Sequence, residues 1–171
     1  PDMASLNEEA AAVAPGADGL VVLDHFQGNR TPFTDAASRG CINGLSLSHT
    51  RGHIFRALME GIGYGTELIL ENFRTGGFTP SEMVICGGAT NSDLWMQIHA
   101  DISNLPIIKT RVADAPALGS AMLAGICGGA FSSFEQAADA MVQVERRIEP
   151  DPERHAVYRD LIADYKALYP A

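Results

Sequence analysis

The sequence predicts an α/β domain in which a mixed sheet is flanked by helices, and three observations support this prediction. Apolar runs typical of buried strands occur at 20–23 and 83–86. Between them, residues 50–75 repeat apolar side chains at spacings of three and four, the pattern of a long amphipathic helix. After residue 86, helical and strand patterns alternate along the chain. A length of 171 residues fits one domain, 1–171.

The first quarter of the chain is predicted to contain one helix and two strands. An Ala- and Glu-rich helix at 5–13 precedes the apolar strand Leu20–Leu23. Residues 27–40 are dense in Gly, Pro, Asn, Asp and Ser, so we expect a loop there. A second strand is predicted at 42–47, and it ends where Ser48-His49-Thr50 offers a helix cap.

The long helix that follows is predicted to be a core helix ending at Gly76-Gly77, because glycine is favoured just past a helix terminus. Gly61, Gly63 and Gly65 each cost about 1 kcal/mol of helix stability relative to alanine. We therefore expect another backbone to pack closely against them. The apolar stripe that should face the core consists of Phe55, Met59, Ile62, Thr66, Ile69 and Phe73.

The second half of the chain should add two strands and four helices. The run 83–86 is continuous and apolar, as in strands buried within parallel sheets, and 106–111 is the next strand. A helix at 93–104 should bury Leu94, Trp95, Ile98 and Ile102. The other helices are expected at 116–128, 133–141 and 152–168. The segment 151–171 should pack on the domain through Val157, Leu161, Tyr165 and Leu168.

Composition restricts the functional classes. The formal net charge of −9 argues against binding to a nucleic-acid backbone, which needs clustered Lys and Arg. No apolar run reaches the ~18 residues of a membrane span, and no signal peptide is seen, so we expect no membrane partner. Cys41, Cys86 and Cys127 share no metal-binding spacing and fit a reducing, cytoplasmic compartment. Pro1 at the first position indicates a piece of a longer protein.

The turn after the strand 83–86 is the most informative motif. Gly87 and Gly88 allow a ligand to approach the backbone, and the N–H groups of the next helix offer partial positive charge. This pattern is typical of nucleotide sites, although Gly-Gly between a strand and a helix is more often a plain tight turn.

Several ordered blocks, over roughly residues 16 to 130, resemble the carboxy-terminal domain of the FGGY carbohydrate kinases, in particular the ribulokinase-like and xylulokinase-like members. That resemblance implies the ribonuclease H-like fold of actin and hexokinase. The blocks that carry it include Phe26-Gln27-Gly28-Asn29-Arg30-Thr31-Pro32, His49, His53, Ala57-Leu58-Met59-Glu60-Gly61, Gly87-Gly88-Ala89, Leu94-Trp95-Met96-Gln97 and Ala117-Leu118-Gly119.

The resemblance implies transfer of the ATP γ-phosphoryl group to a sugar, ketose or polyol hydroxyl, with Mg²⁺ holding the phosphates. Members of the family place the site in a cleft between two domains, so an amino-terminal kinase domain is the implied partner. No catalytic residue is expected in this chain, since the general-base aspartate would lie upstream, and the chain alone should be inactive. The residues expected to line the nucleoside are Gly87, Gly88, Ala89, Asn91 and Ser92. Asn91 and Ser92 compete as helix caps, which is the stronger expectation for both.

The remaining polar candidates favour structural roles. His49 and His53 lie one turn apart, but they lack an acidic or sulfur partner and favour capping and packing over a metal. Arg30 should tie its loop to carbonyl groups rather than face the cleft. The carboxylates have three expected roles: Glu60 is a paired structural carboxylate, Asp101 lies on a helix surface or anchors a loop, and Asp114 caps a helix rather than binding Mg²⁺.

Two other classes stay open at this point. A non-catalytic regulatory ATPase-fold protein would keep the same glycine turn. An oligomerisation domain, for example in a homodimer, would use a helix face instead. The sugar or polyol acceptor also stays open, with a preference for pentuloses and pentitols over glycerol.

Overall fold

The computed structural model describes residues 2–169. The expectation about Pro1, and the last two residues of the predicted segment 151–171, lie outside the described residues. The helices are α1 Met3–Ala11, α2 Arg51–Thr75, α3 Asp93–Ser103, α4 Ala115–Cys127, α5 Phe134–Met141 and α6 Pro152–Ala167. The strands are β1 Val21–Leu23, β2 Cys41–Asn43, β3 Met83–Ile85, β4 Ile107–Thr110 and β5 Val144–Ile148. Single 3₁₀ turns occupy Ala17–Gly19 and Gly88–Asn91.

The strands form two small sheets. β1 and β2 pair antiparallel, and a second sheet has the order β3-β4-β5. Within it β3 runs parallel to β4, and β5 runs antiparallel to β4. The predicted mixed sheet flanked by helices is confirmed. The strand expected at 42–47 is shorter, and β5 was not predicted because Glu145, Arg146 and Arg147 interrupt its apolar pattern.

The glycines of α2 are where this helix meets its neighbours. A Cβ added at Gly61 would stand 2.4 Å from the Val22 carbonyl oxygen, and one at Gly63 would stand 2.5 Å from Ile102 Cδ1. Only glycine allows such an approach, so the predicted close packing of a backbone against α2 is confirmed for β1. Gly77, with φ +87°, follows the end of the helix as expected.

The prediction of the buried face of α2 was partly wrong. Met59 is buried, but Ile62 and Phe73 are 40% and 49% exposed. The face that packs onto β1, α3 and α6 carries the glycines together with Arg56, Ala57, Glu60, Tyr64 and Leu68. The helix thus has two apolar faces, and helical periodicity alone does not show which one the domain covers.

The main core lies between α2, α3 and α6. Its largest fully buried side chains are Tyr158 and Tyr165, packed around Tyr64. Val157 was expected inside but is 45% exposed, because the buried position of α6 is one residue later. Leu161 and Leu168 are partly buried against the same core, which also receives Ile98 and Ile102 of α3 as expected.

The β3 side of the domain is open. Val84, predicted to lie inside a parallel sheet, is 63% exposed because its side chain points to the face of β3 opposite Met83 and Ile85, which pack against the core. α4 has no buried residue and packs mainly on α5. Among the described residues, no helix combines the length and the apolar character that crossing a membrane would require.

Candidate functional site

The backbone turn after β3 is held in position by the loop that follows β4. Gly87 has φ +82° and ψ −163°, a conformation open to glycine but not to ordinary residues. Its N–H donates to the Ala113 carbonyl at 2.9 Å. Because β3 and β4 are parallel, both loops leave the same edge of the sheet, which is where open α/β sheets bind ligands.

The 3₁₀ turn Gly88–Asn91 leads directly into α3. Thr90 is buried, and its Oγ1 donates to the Gly87 carbonyl at 2.8 Å, which closes the turn on itself. Ser92 is the N-cap of α3, since its Oγ accepts from the Trp95 N–H at 3.1 Å. The capping role expected for Ser92 is therefore confirmed. For Asn91 it is wrong: this residue ends the 3₁₀ turn, and its side chain is exposed.

A cavity of about 630 Å³ lies between this turn and α1. No heavy atom comes within 4 Å of where a Cβ on Gly88 would stand, so the glycine leaves open space on the cavity wall. The Ser92 hydroxyl donates to Asn7 Oδ1 and joins the two walls. The cavity is lined by Met3, Ala4, Asn7, Glu8, Ala11, Gly88, Asn91, Ser92, Asp93 and Leu94.

A second cavity, of about 440 Å³, continues from the first past Gly88 and Ser92. Its wall is mainly apolar and includes Phe26, Phe55, Leu58, Met59, Ile62 and Trp95. Part of the α2 stripe predicted to be in the core therefore borders this cavity instead. Of the five predicted site residues, four line at least one of these two cavities: Gly88, Ala89, Asn91 and Ser92.

The α1 residues of this site were missed in the sequence. Asn7 and Met3 precede the Gly87 turn by some eighty positions, and nothing in an Ala- and Glu-rich helix distinguishes a cavity wall from a solvent face. The packing of α1 on α2 brings α1 beside the Gly87 turn. An exposed ion pair between Arg51 and Glu9 links the two helices.

The charge around the first cavity is negative. Within residues 2–169, its charged lining residues are Glu8 and Asp93, and none of the lining residues is Lys, Arg or His. Asp93 is paired with Arg146 at 2.8 Å on the outside. Such a wall suits the uncharged part of a ligand, since anionic groups gain nothing from nearby carboxylates.

A family model described as the C-terminal domain of the FGGY family of carbohydrate kinases matches residues 2–127. The chain belongs to the FGGY family of carbohydrate kinases. The xylulose kinase of Bacillus subtilis is 35% identical over 158 residues, covering 92% of this chain and 32% of that protein. Ribulokinase 2 of Staphylococcus saprophyticus is 36% identical over 166 residues, covering 96% of this chain and 31% of that protein.

The solved structures place this FGGY domain in the expected fold class. The crystal structure of xylulose kinase from Rhodospirillum rubrum superimposes with a TM-score of 0.84 at 37% identity, covering 97% of this chain and 33% of that one. The ribonuclease H-like fold of the actin and hexokinase type is thereby confirmed. This FGGY chain spans 31–33% of the length of these three relatives.

The two histidines at the start of α2 make the capping contacts predicted for them, but the prediction that they lack an acidic partner is wrong. His53 Nδ1 accepts from the Thr50 N–H at 3.2 Å, and its Nε2 contacts an Asp18 carboxylate oxygen at 3.1 Å. His49 Nδ1 accepts from the Ser46 N–H at 2.9 Å. Within residues 2–169, no group of three or more His, Cys, Asp or Glu side chains is arranged to hold a metal ion.

The predicted structural carboxylates make the contacts expected of them. Glu60 is 2% exposed and accepts from Arg56 Nε at 2.7 Å and from Tyr158 at 2.9 Å. Burial raises the pKa of the Glu60 carboxyl, and these donors oppose that rise. Asp114 caps α4 by accepting from the Ala117 N–H at 3.0 Å. Both expectations are confirmed.

Of the two roles expected for Asp101, the loop anchor is confirmed and the helix surface is wrong. The side chain is 1% exposed, and it holds the segment before α6 by accepting from the Asp151 N–H at 2.8 Å. The expectation for Arg30 is also wrong. Arg30 is exposed, and the arginine that ties its loop to carbonyl groups is Arg39, which donates to Ala37 and Ser38 at 2.8 Å. Because the loop contains two arginines, the sequence does not show which of them donates hydrogen bonds to the loop carbonyl groups.

Proposed function

We propose that this chain supplies the nucleoside-binding half of the cleft of an ATP-dependent kinase that phosphorylates a sugar, ketose or polyol hydroxyl. The observation that carries the proposal is the open Gly87-Gly88 turn at the carboxyl end of the parallel strands, facing the cavity beside α1. Membership of the FGGY family agrees with this placement.

The residues of the first cavity fit an adenosine better than a polyphosphate. Gly88 leaves room for a base or ribose against the backbone. Asn91 has an exposed amide that caps no helix, so it is free to hydrogen-bond a ligand. Ala89, with its short side chain, takes up little of the space in the second cavity. Ser92 is engaged with Trp95 and Asn7, and it holds the wall in place rather than contacting the ligand directly.

We place the phosphates and Mg²⁺ outside this cavity. Among the described residues, no cationic side chain lines the cavity, and no group of three or more His, Cys, Asp or Glu side chains is arranged to hold a metal ion. We therefore assign phosphate binding and the general base to an amino-terminal domain of the same protein, and residues 1–171 form one domain of the pair. ATP supplies the phosphoryl group, and this chain contributes position and orientation, the main requirements of phosphoryl transfer. The chain alone should show no kinase activity.

The acceptor class follows from the relatives. Two of the three named above are xylulose kinases and the third is a ribulokinase, so a pentulose is the proposed acceptor. The test is sugar-dependent ADP release by the full-length parent protein with Mg-ATP, over a panel of pentuloses, hexuloses, polyols and aldonates. Turnover with one acceptor identifies it. Nucleotide binding without turnover on any acceptor would instead favour a non-catalytic, regulatory ATPase-fold protein.

The placement of the nucleoside is tested by Gly88→Trp in the parent protein. The indole would fill the open space beside the turn, so the KM for ATP should rise by roughly tenfold or more, with little change in the KM for the sugar. The control is Gly76→Trp, at the exposed end of α2 with φ −75°. An unchanged KM for ATP in a Gly88→Trp variant that melts like the wild type would overturn this placement.

A further inference from the structure

The loop between β1 and β2, residues 24–40, has a shape that its own contacts fix. The backbones of Asn29 and Asp35 exchange two hydrogen bonds of 2.7 Å. His25, which is 1% exposed, contacts Ser38 Oγ at 2.7 Å and Asn29 Nδ2 at 2.9 Å. Buried polar groups that all have partners hold a single conformation. The loop is therefore one unit, and contacts from outside set its position on the domain.

The start of this loop forms part of the wall of the second cavity. Asp24 and Phe26 both line that cavity, together with Gly88 of the turn after β3. A Cβ added at Gly40 would stand 2.4 Å from Phe26 Cδ1, so the Phe26 ring packs against the far end of the loop. A displacement of the loop therefore moves this part of the cavity wall.

Two tyrosines at the carboxyl end of α6 tie the loop to the helices. Tyr165 donates its hydroxyl to Asp24 Oδ1 at 2.6 Å. A Cβ at Gly65 of α2 would stand 3.2 Å from Asp24 Oδ2 and 3.3 Å from the Tyr165 hydroxyl, so the glycine leaves the space that this pair occupies. Burial raises the pKa of Tyr165, so the hydroxyl keeps its proton and remains the donor.

The second tie lies one turn after the first, just beyond the last residue of α6. Tyr169 donates to Asp35 Oδ2 at 2.9 Å, and its ring stacks on Phe33 with the two centroids 4.5 Å apart. The same ring meets the edge of His25, with centroids 5.2 Å apart. The hydrogen bond between the two side chains raises the pKa of Tyr169 and lowers that of Asp35, which makes the carboxylate the acceptor.

α6 is held in place independently of the loop. Tyr158 donates to Glu60 at 2.9 Å, and Lys166 pairs with Glu71 at 2.8 Å. Both contacts are to α2, which itself lines the second cavity, for example through Ile62. α6 therefore connects the two walls of the second cavity, the helix wall directly and the loop wall through its tyrosines.

We propose that Tyr165 and Tyr169 are positioning residues for ligand binding, which hold the 24–40 loop on α6 and so set where the loop wall of the second cavity lies relative to the Gly88 turn. Neither tyrosine lines either cavity, so both act through the loop. The inference rests on the proposed function: the ligand is the nucleoside of ATP, which extends from the first cavity into the second.

The test is the double variant Tyr165→Phe/Tyr169→Phe in the full-length parent protein. Each change removes one hydroxyl and keeps the ring, so both hydrogen bonds to the loop are lost while the apolar packing stays. The Kd for ATP, measured by titration calorimetry, and the KM for ATP should each rise by roughly three- to tenfold, with kcat within about twofold of the wild type. A role in stability alone would lower the melting temperature and leave the Kd of the folded protein unchanged.

Tyr158→Phe is the matched control. It removes one hydroxyl from a buried tyrosine of the same helix, which donates to Glu60 and not to the loop. This variant should melt at a lower temperature and keep the wild-type Kd for ATP. Gly65→Ala is a second test variant, because its Cβ would crowd the Asp24–Tyr165 pair without altering either residue, and it should also raise the Kd.

A wild-type Kd for ATP in the folded double variant would refute the proposal, as would equal increases in the double variant and in Tyr158→Phe. If the double variant does not fold, the Kd of Gly65→Ala decides. A raised Kd in the test variants, in a parent protein that releases no ADP with any sugar, would support the proposal and contradict only the proposed phosphoryl transfer. A wild-type parent that binds no ATP would contradict both.

Discussion

The tyrosine core and the β3 side of the domain differ sharply in how complete they are. The tyrosine core, formed by Tyr64, Tyr158 and Tyr165 with their neighbours, buries each of these side chains to 3% exposure or less. On the β3 side, Val84 and Leu123 are 63% and 51% exposed. Within one short chain, the first region buries its apolar side chains and the second exposes them to solvent.

This difference predicts which region contributes most to the stability of the domain. The tyrosine core joins elements distant in sequence: Tyr158 of α6 contacts both Glu60 and Arg56 of α2. α4, by comparison, packs mainly on its sequence neighbour α5. Stability measured on the 171-residue chain should therefore respond strongly to changes in the first region and weakly to changes in the second.

The largest effect is expected for Glu60→Ala. This change removes the carboxylate partner of Arg56, whose side chain is 5% exposed, and leaves a buried charge uncompensated. The free energy of unfolding of the chain should fall by about 3–5 kcal/mol, measured by urea denaturation. The control is Glu71→Ala, which breaks an exposed ion pair with Lys166 and should cost at most about 1 kcal/mol. Equal losses for both variants would mean that the tyrosine core is not the stable part.

An intermediate effect is expected for acidification, through His99. The folded-state pKa of about 4 lies below the ordinary value of 6.5, so the unfolded chain binds more protons between these values. The stabilising contribution is complete above pH 6.5 and is lost as the pH falls toward 4, up to about 3 kcal/mol.

The variant His99→Leu isolates this contribution. It cannot take up the proton, so its free energy of unfolding should fall less than that of the wild type between pH 7 and pH 4.5. Buried carboxyls with raised pKa values, such as Glu60 and Asp101, act equally in both proteins and cancel in the difference. Parallel pH profiles for the two proteins would show that His99 is not buried in the neutral form.

The smallest effect is expected for Leu123→Ser in α4. Because this helix has no buried residue, the free energy of unfolding of the chain should change by no more than about 0.5 kcal/mol. The comparison is Leu68→Ala in the tyrosine core, where Leu68 is 8% exposed and the loss should be about 2–5 kcal/mol. A loss for Leu123→Ser as large as that for Leu68→Ala would remove the distinction between the two regions.

Much of the fold could be predicted from local signals. The ends of α2 were predicted from Ser48-His49-Thr50 and Gly76-Gly77, and the structure places the cap at Thr50. The start of α3 was predicted from Asn91 and Ser92, of which Ser92 is the cap, and the start of α4 from Asp114. These features depend on residues a few positions apart. The buried faces were less predictable: Val157 was expected inside in place of Tyr158, because a bulky amphipathic side chain gives an ambiguous hydrophobic pattern.

The candidate site also has a part that the sequence predicted and a part that it did not. The turn at Gly87 and Gly88 was predictable because backbone conformation leaves a mark on residue choice. The opposite wall was not, since Asn7 reaches Ser92 only through the packing of α1 on α2. The family resemblance predicts a nucleoside-binding role for the turn, which stays a prediction, and the structure shows that α1 faces it.

The hydrogen bond from Gly87 to the Ala113 carbonyl has a consequence for affinity. It fixes the turn before any ligand arrives, with Thr90 folded under it. Ordering a mobile loop on binding typically costs about 0.5–1.5 kcal/mol for each immobilised side chain. A preorganised turn avoids that entropic penalty, so a ligand that makes only a few contacts at this turn would retain most of the binding energy that those contacts supply.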